Sequence, residues 1–170
     1  MDHECCDACG FRGSRYDNAS LIAALRQLGP SWRTVLDDAG SELRVRPEPQ
    51  VWSAIEYAAH SRDITALHAF GVEQALTFHE PVYPAIVADD LIDAAAASYI
   101  GDDPEAVADA LDAHACRLAR TATDAGEQAW QRGLTIGDER STVRRMLEHA
   151  LHDSLHHVDD VERGLLLLRG

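Results

Sequence analysis

The stretch LEHALHDSLHHVDDVERG, residues 147–164, places His149, His152, His156 and His157 within nine positions, among carboxylates. Imidazole with carboxylate is a donor set for zinc, nickel, iron or manganese, so this stretch is either a solvated polar face or half of a metal site. At about 100° per residue on an α-helix, Val143, Leu147, Leu151, Val158, Val161 and Leu165 centre at roughly 150° from His149 and mark the core side. His157 falls at about 80° and Asp153 at about 40°, one turn apart at the edge of that stripe. His152 and His156 fall at about 300° and 340°, nearly opposite the core. The geometry predicts Asp153 and His157 as the inward pair. His152 and His156 are the alternative metal register.

A carboxylate and an imidazole do not close a divalent site, because a catalytic zinc takes three protein ligands and leaves one position open. His60 can supply the third. It sits between Tyr57, Ile64, Leu67 and Gly71, inside the apolar stripe of another helical stretch. Glu56 and Asp63 flank it, and a ligating histidine commonly donates its second N–H to such a carboxylate.

The amino terminus carries a separate signal. CCDACGF contains Cys6-x-x-Cys9-Gly, one half of a zinc-ribbon pattern. His3 and Cys5 are too close in sequence to complete a tetrahedron comfortably, and His114 and Cys116 lie far along the chain. A second zinc on Cys6 and Cys9 therefore competes with a plain cysteine-bearing loop.

These residues must be positioned by helices. Residues 1–17 are polar and aperiodic, a short irregular segment before a single domain spanning 18–170. Helical periodicity starts at Asn18, with Pro30 expected to kink or split the first helix. A second helix is expected from near Val51 to HEPVYP, and a shorter helical piece within 87–100. The third occupies 101–126, opened by acid and proline and closed by glycine. A last helix is expected from about Asp138 to Arg169. No period-two alternation stands out as a strand. The pattern predicts an all-α fold, an antiparallel four-helix bundle. Trp32, Trp52 and Trp130 read as core, and Tyr57 and Tyr83 as core or pocket rim.

Composition narrows the function. The 170 residues carry a formal charge of −14, and all fifteen positive side chains are arginine. Acidity on this scale argues against nucleic acid as a partner, and the lack of lysine excludes lysine Schiff-base chemistry and lysine general bases. The start has no signal-peptide pattern and the longest apolar run, 165–168, is too short for a membrane span. A cytoplasmic protein with a small-molecule substrate is expected, with an isologous homodimer as the default assembly.

WSAIEYAAH, residues 52–60, resembles the W-x(7)-H stretch on the second helix of the DinB-like superfamily of metal-binding four-helix bundles. DSLHHVDDV, residues 153–161, resembles that superfamily's closing motif, in which a ligand precedes a histidine by four and an acid or glutamine follows it by three. Aligning that acid with Asp160 makes His157 the histidine and Asp153 the residue four before it. Most of the superfamily has histidine at Asp153, and the branch of mycothiol-dependent maleylpyruvate isomerase has glutamate. Aspartate is a departure, one methylene shorter, and His149 or His152 is the substitute if it cannot reach. The resemblance implies a divalent metal, zinc first, on His60, Asp153 and His157. His156, Asp160 or Glu56 would orient ligands or move protons, and Arg62 or Arg145 would meet anionic substrate groups. It further implies S-transfer or isomerisation of a small electrophile with a low-molecular-weight thiol, mycothiol, as co-substrate. The alternatives are a metal-dependent hydrolase using activated water and a non-catalytic metal-binding interaction protein.

Overall fold

The computed structural model describes residues 3–84 and 96–170. Among the described residues, five helices, α1 (Asn18–Arg26), α2 (Leu28–Ala39), α3 (Ala54–Thr77), α4 (Pro104–Ala125) and α5 (Val143–Arg169), build the bundle. α1 and α2 are two segments of its first helix. The break falls at Gln27, whose N–H turns back to Ala24, and not at Pro30. Proline is tolerated in the first turn of a helix, where its missing N–H has no intrahelical partner.

Local sequence sets the helix starts. Asp17 caps α1 by accepting from Ser20 N at 2.7 Å. α3 begins at Ala54, three residues after the expected Val51, because Ser53 and Glu56 form a capping box. Asp103, Pro104 and Gly126 bound α4 where the sequence pattern placed them. α5 starts at Val143, capped by Thr142, and not near Asp138. The residues before it form a hairpin, β2 (Gly133–Ile136) with β3 (Glu139–Thr142), and β1 (Val82–Tyr83) adds in parallel to β2. This small sheet corrects the expectation of no strands. Most of the shorter helical piece expected within 87–100 lies outside the described residues.

The four-helix bundle is present, with an order around the axis that is not sequential. α3 packs against both α4 and α5, and α1–α2 packs against the same two helices. Named contacts give the directions. His60 faces Asp153, and Gly71 faces Met146, so α3 and α5 run antiparallel. Arg62 pairs with Asp102 just before α4, and Glu73 with Arg117, so α3 and α4 run parallel. Asn18 meets Arg144, and Trp32 meets Ser154, which makes the first helix parallel to α5. Gly71 lets α3 and α5 approach closely, and a methyl there would push the terminal methyl of Met146 aside.

The core is built from Leu21, Leu25, Trp32, Ile55, Leu111, Leu118, Leu147 and Leu151, all fully buried. Each such side chain contributes about 1.5–3 kcal/mol relative to exposure. Trp32 donates its indole N–H to Ser154 Oγ at 2.7 Å inside that core. Trp130 is buried as expected, but Trp52 is only partly buried and leaves the core for the site described next.

The amino-terminal segment is ordered against α5. Cys5 and Arg12 form a bridge, Cys6 N donates to Phe11 O, and Gly10 takes φ +74° between them. Residues 7–10 form the tight turn between these two sides, and the left-handed backbone at Gly10 favours glycine. Glu148 of α5, with no solvent exposure, accepts from Glu4 N at 2.8 Å and Arg144 Nε at 2.5 Å. His3 Nδ1 lies 2.7 Å from the same carboxylate.

Candidate metal centre

α3 and α5 bring His60, Asp153 and His157 together, one ligand atom from each lying within 4.8 Å of the others. Asp153 Oδ1 is 3.9 Å from His60 Nε2 and 3.6 Å from His157 Nε2. Both separations are long for hydrogen bonds. They are near the ~3.3 Å between two donors on one tetrahedral ion at 2.0–2.1 Å. Antiparallel packing places His60 and Asp153 at the same level, which brings the shorter aspartate beside both imidazoles. The carboxyl of Asp153 is pushed up by burial, but His60 and His157 outweigh that and hold it below the usual aspartate range.

The surroundings fit a metal. His157 Nδ1 lies 2.9 Å from Asp160 Oδ2, which leaves Nε2 aimed at Asp153. A carboxylate on the far nitrogen fixes the tautomer and orientation of a ligating imidazole. Asp160 is itself held by Arg163. Trp52 stands edge-on to His60 at 5.3 Å, and Tyr57 lies over His157 at 5.0 Å, so two aromatic rings wall one side. The three donor side chains keep 13, 17 and 18 % of their exposure, so the centre is largely buried without being sealed from solvent.

Other expected participants go elsewhere. Glu56 does not reach the centre. Its side chain leans back toward the start of α3, as helical side chains do. There it accepts from Ser53 N and Oγ and from Arg46. The S-x-x-E signature at 53–56 is the sequence signal for that role. Asp63 is taken by Arg62 and the Tyr99 hydroxyl. Arg62 also binds Asp102, and Arg145 pairs with Glu4, so neither faces the centre. Tyr83 donates to Gln74 and packs on Phe70, away from it.

His152 and His156 point away from His60, as the helical angles require. They are not on an empty face. The amino-terminal turn lies over them, and Cys6, Cys9, His152 and His156 bring four ligand atoms within 4.8 Å of one another. Glu4, His149 and His152 form a third group, sharing His152. Glu4 was not singled out from sequence, because nothing local marks a residue that reaches its neighbours across the fold; Trp52, the first residue of the W-x(7)-H stretch, was expected in the core.

A family model of the DinB superfamily matches residues 24–161. The chain belongs to the DinB superfamily. Among solved structures, this DinB-superfamily chain is similar to YfiT from Bacillus subtilis, with a TM-score of 0.74 and 19% identity over 86% of this chain and 85% of that one. YfiT is described as a probable metal-dependent hydrolase with an unusual four-helix bundle topology. No curated protein matches the chain. Among the described residues, no helix is long and apolar enough to cross a membrane.

Proposed function

We propose that this DinB-superfamily protein is a metal-dependent enzyme that activates a small nucleophile at the α3–α5 centre. Its first reading is transfer or isomerisation through a low-molecular-weight thiol of the mycothiol type. The observation that carries the metal is the convergence of His60, Asp153 and His157, three ligands that each keep some solvent exposure. Three ligands and an open position characterise a catalytic site, whereas a structural site is closed by four. A divalent cation there, zinc first, would supply Lewis acidity, lowering the pKa of a thiol or water that reaches its open side. His60 and His157 would hold it through their imidazoles, and Asp153 would add one negative charge. Asp160 keeps the His157 proton on Nδ1, and Trp52 and Tyr57 exclude water from the closed side.

Water activation is the second reading, favoured by the fold shared with a probable hydrolase. The two differ in one assay. Metal-loaded protein is given a small electrophile and an activated ester, each with and without thiol. Conjugation or isomerisation that requires thiol, and is lost in His60→Ala and His157→Ala, supports the first reading. Thiol-independent ester hydrolysis lost in the same variants replaces it with the second. Activity unaffected by both substitutions overturns the centre itself.

A further inference from the structure

The helix α5 carries two i,i+4 ligand pairs that share one turn and face opposite ways. Asp153 and His157 look into the bundle, and His152 and His156 look out at the amino-terminal turn. We propose that Cys6, Cys9, His152 and His156 form a second, structural zinc site that clamps the amino-terminal segment onto α5.

Four observations carry this. The donor set is two thiols and two imidazoles, the count and chemistry of a closed tetrahedral zinc site. Cys6 Sγ lies 3.9 Å from His156 Nδ1, close to the ~3.6 Å expected between a sulfur at 2.3 Å and a nitrogen at 2.0–2.1 Å from one zinc. The Cys6-x-x-Cys9-Gly10 turn has the backbone a zinc knuckle needs. Gly10 is left-handed, the Cys5–Arg12 bridge closes the turn, and the amides of Ala8 and Cys9 face the Cys6 sulfur. Both ring nitrogens of His152 are sealed from solvent without a hydrogen-bond partner among the described residues. Buried polar atoms are nearly always satisfied, so an orphaned imidazole beside two thiols points to a missing ligand.

The surrounding groups fit as orienting partners. Phe11 stacks on His152 at 5.1 Å, and Glu4 Oε1 lies 3.1 Å from His152 Nδ1, without hydrogen-bond alignment. Asp160 Oδ2 lies 3.6 Å from His156 Nε2, the nitrogen opposite Cys6, as well as 2.9 Å from His157 Nδ1. One carboxylate therefore serves an imidazole of each site. The competing group of Glu4, His149 and His152 offers three ligands and no thiol, and leaves both cysteines unused. Four ligands with two sulfurs hold zinc more tightly, and Glu4 is left to orient His152.

The test is zinc reconstitution of the reduced, chelator-stripped protein, followed by zinc-edge X-ray absorption. Wild type is expected to hold two zinc ions per chain. His60→Ala should hold one, with two sulfur neighbours at about 2.3 Å. The Cys6→Ser/Cys9→Ser protein should hold one with no sulfur neighbour, and its residues 3–16 should become readily cleaved by protease. His152→Ala, which leaves the cysteines intact, should also lose the sulfur-bound ion. Wild type with a single sulfur-bound ion that survives His60→Ala would sink the bundle centre and leave this site standing. A His60→Ala protein that binds no zinc, or binds it without sulfur, overturns the proposal.

Discussion

Glu148→Ala should be one of the most damaging single changes outside the apolar core. The Glu148 carboxylate has no solvent exposure and is held by three donors, His3, Glu4 N and Arg144 Nε. Its removal leaves the Arg144 guanidinium buried, with only the neutral acceptors Asn18 Oδ1, Gly13 O and Tyr16 O. Breaking a buried ion pair from one side costs about 3–5 kcal/mol, because the remaining charge is left uncompensated. Against a domain stability of about 5–15 kcal/mol that is a large fraction. It corresponds to a fall in Tm of roughly 6–20 °C for a chain of this size. Glutamine is no remedy. Whichever oxygen becomes an amide, its N–H₂ meets Glu4 N–H or the Arg144 and His3 donors. Urea unfolding of wild type, Glu148→Ala and Glu148→Gln measures the loss. Glu162→Ala, exposed on the same helix, serves as the control and should stay within about 0.5 kcal/mol. Hydrogen exchange should show residues 3–16 opening in both Glu148 variants. A Glu148→Ala protein within 0.5 kcal/mol of wild type, with that segment still protected, would refute this account of how the amino terminus is held.

Gly13→Ala attacks the same contact from the other side, since a methyl there runs into the Glu148 carboxylate; about 1–3 kcal/mol of destabilisation is expected from denaturant midpoints. Ser154→Ala leaves the Trp32 indole N–H buried and unpaired, which should cost about 1–3 kcal/mol by the same measurement. Acid should destabilise the protein in two stages. His68, whose pKa burial lowers to about 4 from 6.5, is neutral when folded and binds a proton on unfolding. Stability is therefore lost as pH falls below 6.5 and on toward 4, and His68→Gln should flatten a pH series of Tm values there. Glu148 and Glu56 are raised by burial but held lower still by their hydrogen bonds and arginines, so stability from them is lost as pH falls below the ordinary 4.5.

Helix periodicity was legible because each bundle helix buries a stripe, and the turn signals of α4 are local. The angular reading of α5 also holds, because the inward face of a helix follows from its own sequence. What lay across the fold was not legible. Glu148 falls on the polar side of α5 yet is fully buried, because residues 3–16 cover that face. His152 and His156 appeared to compete with Asp153 and His157, when each pair meets a different group. Their partners, Cys6 and Cys9, are about 145 residues away in sequence, and no spacing rule connects them. The β2–β3 hairpin escaped because β3 is four residues long and buries none of them, so it shows no clear alternation. Trp52 was read as core from its place at a helix start, whereas its position just before the α3 cap sets it edge-on to His60.

The central claim is that His60, Asp153 and His157 hold one divalent ion. Anomalous diffraction at the metal edge, from crystals of protein purified without chelator, tests it most directly. The predicted result is a peak about 2.0–2.2 Å from His60 Nε2, Asp153 Oδ1 and His157 Nε2, with a solvent position completing the coordination. Metal-replete crystals with no peak between α3 and α5 would contradict it, as would a peak there that Asp153 does not touch.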